Sequence, residues 1–115
     1  MKQLPQLHLD DEQIEIIKYG LSIFPKVQNA ISELKQSKNY KSNNKLAKST
    51  LRTFEKGNLA SLTPEEFRIM ILAIHSLYLI SIDDIFIDEE SSQFVSEKLQ
   101  DIRLLQATID LYNPQ

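Results

Sequence analysis

The chain has 115 residues, 42% of them hydrophobic and 25% charged, a formal net charge of −3 and no cysteine. That length holds one core rather than two, and the composition excludes a disordered chain. The missing cysteines exclude a disulfide framework, a thiolate zinc site and a cysteine nucleophile, and two glycines with four prolines are too few breaks for the many turns of a β fold.

In chain order, the first helix begins at Leu9-Asp10-Asp11-Glu12-Gln13-Ile14. Asp10 is the N-cap, Gln13 reaches back to it, and Leu9 with Ile14 forms a hydrophobic staple. Pro25 should end or kink this helix near Phe24. Val27, Ala30, Ile31 and Leu34 then fall at i, i+3, i+4 and i+7, which predicts a second stretch over about 26–36. The polar run 36–44 reads as a loop. A third helix over about 44–56 stops at Gly57-Asn58, Gly57 being suited to a left-handed C′ position. Leu62-Thr63-Pro64-Glu65-Glu66-Phe67 repeats the opening grammar, with Pro64 at the first helical position, and starts a helix over 64–82. The last helix starts near Ser91 or Ser92, buries Val95, Leu99, Ile102, Leu105, Ile109 and Tyr112, and ends before Asn113-Pro114. The expectation is a single all-α domain over 1–115, with 1–8 as a flexible arm and four main helices, the first kinked or split at Pro25. Residues 9–24 align with 62–77 at Leu9/Leu62, Glu12/Glu65 and Ile16/Ile69; shared capping grammar accounts for this without a duplication.

The 64–82 helix is apolar around most of its circumference. Its nearly all-apolar part from Phe67 to Ile82, interrupted only by Arg68, His75, Ser76 and Ser81, falls short of the roughly 20 residues that cross a membrane, so it reads as a buried central helix and no membrane partner is expected. Phe67, Met70, Ile71, Ile74, Leu77 and Tyr78 form one stripe, and Ile69, Leu72, Leu79 and Ile80 a second. A chain this small has trouble covering both, which predicts self-association, most simply a homodimer. Ile85, Phe86 and Ile87, flanked by Asp83-Asp84 and Asp88-Glu89-Glu90, either anchor a connecting segment in the core or join Ile69, Leu72, Leu79 and Ile80 as a protein interface.

Charge is unevenly spread. Residues 26–56 hold eight basic and two acidic residues, a net +6, and the rest hold five basic and fourteen acidic, a net −9. On the third helix Lys45, Lys48, Arg52 and Lys56 fall within roughly 80° of one another, and Lys41 joins them if the helix begins early. Leu46, Ala47, Thr50, Leu51 and Phe54 cover the opposite side. Such a face suits phosphates as well as it suits water. A helix-turn-helix does not fit, because the preceding loop is too long and the following helix too apolar for a groove.

Motifs for catalysis are missing. No stretch has the clustered glycines of a phosphate loop, no serine sits in a Gly-x-Ser-x-Gly elbow, and the acidic 83–90 run lacks the glycine and ligand order of an EF-hand. His8 and His75 have no ligand-type partner three or four residues away. The N-terminal residues show no basic-then-apolar leader, which suggests a cytoplasmic protein. The sequence therefore points to a non-catalytic cytoplasmic interaction or regulatory protein, of the small accessory, immunity or regulator type. It would act by protein–protein binding and self-association, without a cofactor or metal. The alternative is a nucleic-acid-binding accessory protein using Lys41, Lys45, Lys48, Arg52 and Lys56.

Overall fold

The computed structural model describes residues 9–57 and 61–112, and of 110–112 the backbone only. The expected arm over 1–8, His8, Asn58, the Tyr112 side chain and the Asn113-Pro114 stop lie outside the described residues. Those residues form six helices: α1 Asp11–Ala30, α2 Ser32–Lys35, α3 Tyr40–Glu55, α4 Pro64–Ser81, α5 Glu89–Glu97 and α6 Leu99–Tyr112.

Both capping boxes are present. The Asp10 carboxylate accepts from the Gln13 N–H while the Gln13 side chain accepts from the Asp10 N–H, and Thr63 with Glu66 does the same at α4. Gly57 sits in the left-handed region at φ 72°, directly after the α3 C-cap Lys56.

Three boundaries differ from the sequence reading. First, α1 runs through Pro25 and ends at Ile31, where the backbone turns extended. Proline removes one backbone hydrogen bond and crowds the preceding turn. Here Phe24, Val27 and Gln28 are all buried on either side of it, so tertiary packing holds the helix together. Second, α3 begins at Tyr40, inside the polar run read as a loop. Three residues of that run, Tyr40, Asn43 and Asn44, bond to α1. Gln28, fully buried, donates to the Tyr40 carbonyl and to Asn44 Oδ1 and accepts from Asn43 Nδ2, and the Tyr40 hydroxyl donates to Asn29. Third, the last helical stretch starts at Glu89, capped by the Asp88 carboxylate accepting from the Ser91 N–H at 2.7 Å. It breaks at Lys98, which leaves helical geometry at φ −110°, ψ 17°. Val95, Leu99 and Ile102 keep helical spacing across that break, which hides it from periodicity.

α4 is central. It packs against α1, α3, α5 and α6, and its Phe67, Ile69, Met70, Ala73, Ile74, Leu77 and Ile80 are buried in the core with Ile16, Ile17, Leu21, Phe24, Phe54, Val95, Ile102, Leu105 and Ile109. α1 and α4 approach closely at Gly20, where an added Cβ would lie 3.2 Å from the Ala73 carbonyl oxygen and 3.1 Å from Leu77 Cδ1. Glu66 ties α3 to the start of α4 by accepting from the Ser49 hydroxyl at 2.8 Å. α5 is fastened to α1 by the Tyr19 ring stacked on Phe94 (centroids 3.8 Å apart), by the Tyr19 hydroxyl donating to Ser91, and by Lys26 beside Asp88 at 3.5 Å. None of the described helices is long and apolar enough to cross a membrane.

Candidate interaction surfaces

Burial along α4 follows its helical period. With His75 as the origin, Arg68, Ile71, Leu72, Tyr78, Leu79 and Ile82 all project within about 60° of it. Arg68, His75 and Ile82 are exposed and the other four are half-buried. Five of these seven side chains are apolar, so the open face of the central helix is a greasy strip about 21 Å long at 1.5 Å per residue. α6 borders it: a groove of about 330 Å³ lies between His75 and Tyr78 on one side and Arg103, Gln106 and Ala107 on the other. Leu104, 62% exposed, stands next along α6.

Of the interface residues expected from sequence, Leu72 and Leu79 lie on this strip. Ile69 and Ile80, 0% and 4% exposed, do not: they sit about 120–140° around the helix from His75 and belong to the chain's own core. Ile71 and Tyr78, expected in the core stripe, do pack against the core, as Leu72 does, but stay half-buried on the strip; sequence reasoning passed over Ile82. Which side of an all-round apolar helix stays open depends on where its neighbours lie, and local spacing carries no signal for that.

The 82–88 connection divides its apolar residues. Ile85 and Ile87 pack against the core, while Phe86 is 64% exposed. Phe86 and Ile87 form a shallow pocket of about 300 Å³ with Lys26, Asn29 and Ala30 of α1. The connection leaves α4 through a Schellman turn, the Asp84 N–H donating to the Leu79 carbonyl and the Asp83 N–H to the Ile80 carbonyl. Asp83 thereby takes the left-handed conformation, φ 59°, usually left to glycine.

The second surface is α3. Because the helix starts at Tyr40, Lys41 joins Lys45, Lys48, Arg52 and Lys56 within about 80°, and all five are exposed. Among the described residues none of the five is in an ion pair, whereas Lys18, Lys26 and Lys98 bridge Glu15, Asp88 and Glu12. α3 also lacks an acidic residue in its first turn, unlike α1, α4 and α5. Lys41 thus sits where the helix dipole disfavours a cation. The one aromatic beside this face, Tyr40, has its hydroxyl engaged by Asn29.

Among the described residues no three His, Cys, Asp or Glu side chains gather as metal ligands do. Searches of protein-family models, curated proteins and solved structures find no match to this chain.

Proposed function

We propose that the protein is a non-catalytic, cytoplasmic interaction protein that works by self-association and protein–protein contact, with the open face of α4 as its main contact surface. The observation that supports this is the run Ile71, Leu72, Tyr78, Leu79 and Ile82, half-buried or exposed along one face of the central helix and beside a groove. Scattered apolar side chains on a surface are ordinary, but a contiguous apolar face is the usual mark of a contact region. Light scattering between 5 and 100 μM should return a mass above that of one chain. Leu79→Glu should return the single-chain mass with an unchanged helical circular dichroism spectrum. A wild-type mass of one chain throughout would remove the self-association.

The α3 face supports a second reading, binding to the sugar–phosphate backbone of a nucleic acid. Five exposed cations, none of them in an ion pair among the described residues, extend over about 22 Å, one of them at the expense of the helix dipole. With no aromatic or amide side chain free on that face among the described residues to read bases, the contact would be insensitive to sequence. If all five engage duplex phosphates, affinity should fall about 500-fold between 50 and 200 mM salt. Lys48→Glu/Arg52→Glu should abolish most of the binding, and no shift of labelled DNA or RNA at low salt would end this reading.

A further inference from the structure

The strip on α4 has an occupancy that bears on what covers it. Counting outward from exposed His75, positions at ±3 hold Leu72 and Tyr78, those at ±4 hold Ile71 and Leu79, and those at ±7 hold Arg68 and Ile82. Every helix has such positions; here all four inner ones are apolar, the N-terminal end position holds the cation Arg68, with Glu65 a turn earlier and about 80° around from His75, and carboxylates follow the C-terminal one. Arg68 marks the N-terminal end, and Asp83-Asp84 follow Ile82 at the C-terminal end. In the single chain none of the three is in an ion pair among the described residues, and all three are exposed. Asp83 and Asp84 moreover lie beside a helix C-terminus that has no basic residue in its last turn. Carboxylates are disfavoured there and a cation is favoured.

An isologous interface needs a surface complementary to itself under a two-fold rotation, so that if one residue meets another, the reverse contact forms as well. Parallel pairing of α4 would set Arg68 against Arg68 and the acidic pairs against each other. Antiparallel pairing sets each Arg68 against the Asp83-Asp84 of the other copy. Resting on the self-association proposed above, we infer that two copies of this chain pair through α4, antiparallel, about a two-fold axis at His75. Leu72 then packs beside the second copy's Tyr78, Ile71 beside its Leu79, and a cation reaches the carboxylates at each end of α4.

The test uses engineered cysteines, since the natural chain has none, together with charge exchange. His75→Cys alone should join two chains through a short bis-maleimide. Arg68→Cys and Ile82→Cys should each cross-link poorly alone and efficiently when mixed. Arg68→Glu should weaken dimerisation about tenfold, the scale of two exposed ion pairs turned to repulsion, and so should Asp83→Lys/Asp84→Lys. Mixing these two variants should restore the wild-type affinity, because only the mixed pair matches charges at both ends. If dimers form but His75→Cys stays uncoupled and the mixture shows no recovery, the antiparallel register is overturned while self-association stands. If the wild type is a single chain up to 100 μM, both are overturned.

Discussion

Single residues fasten the helices to one another. Gly20 leaves only a tight fit for an added Cβ at the α1–α4 contact. Gly20→Val should cost about 1–3 kcal/mol in urea denaturation, as overpacking does, while Gly20→Ala should stay within about 1 kcal/mol of wild type, its better helix propensity offsetting the tight contact. Gln28 holds Tyr40, Asn43 and Asn44 together, and Asn43 Oδ1 is already buried without a partner. Gln28→Leu leaves further buried polar groups unpaired and should cost about 1–3 kcal/mol. Asp88 sets an acid limit. Ser91, through its hydroxyl and its backbone N–H, and then Lys26, hold its carboxyl below the ordinary 3.8. A group depressed in the folded state stabilises above its unfolded pKa, and that contribution fades as pH falls through the folded value. Lys98 acts at the other extreme, raised above 10.5 mainly by its hydrogen bond to Glu12. Its contribution is complete at neutral pH and is lost as pH rises through the raised value. Melting curves of Asp88→Ala against wild type should therefore differ at pH 7 and draw together as the pH falls through and below the ordinary 3.8.

Among the elements, what was legible in the sequence was what local chemistry controls. Asp10–Gln13 and Thr63–Glu66 form the reciprocal caps their spacing predicts, and Gly57 takes the left-handed stop. Misreadings arose where tertiary contacts override local rules. Pro25 is expected to end or kink the helix; α1 continues past it, with Phe24, Val27 and Gln28 buried around it, and the chain leaves the helix at Ile31 instead. Pro25→Ala should consequently stabilise the protein by about 1–2 kcal/mol, the regained hydrogen bond outweighing a more flexible unfolded chain. Asn43 and Asn44 read as loop because polarity usually signals solvent, yet here they face Gln28. The candidate surfaces were half legible. The basic face followed from angular spacing alone, but the open side of α4 could not be separated from its buried side before α3 and α6 were in place. At α3 stability and binding oppose each other. Lys41→Glu should raise helix stability by about 0.3–1 kcal/mol while weakening any polyanion contact, a combination that calorimetry and anisotropy would resolve together.

For the whole molecule, the radius of gyration of 13.4 Å is close to the value of about 13 Å expected for a compact domain of this length. Its charge is strongly polarised, with a basic α3 and a predominantly acidic remainder. Association through α4 would make the melting temperature rise with protein concentration, whereas binding through α3 would show as a salt dependence. The two proposals thus respond to different variables and can be tested in one set of titrations.

The break at Lys98 also affects how the protein comes apart. A nine-residue helix such as α5 is too short to hold its form in water alone. Besides Val95 packed toward α4, what ties it to α1 is the Tyr19–Phe94 stack, the Ser91 hydroxyl, the Lys26–Asp88 pair and, at its C-cap, the Lys98–Glu12 pair. α5 should therefore open as a unit while α1, α3 and α4 stay closed, its amides exchanging with solvent deuterium well ahead of theirs. Tyr19→Ala should hasten that opening. Uniform exchange across all the helices would show instead that the chain unfolds only as a whole.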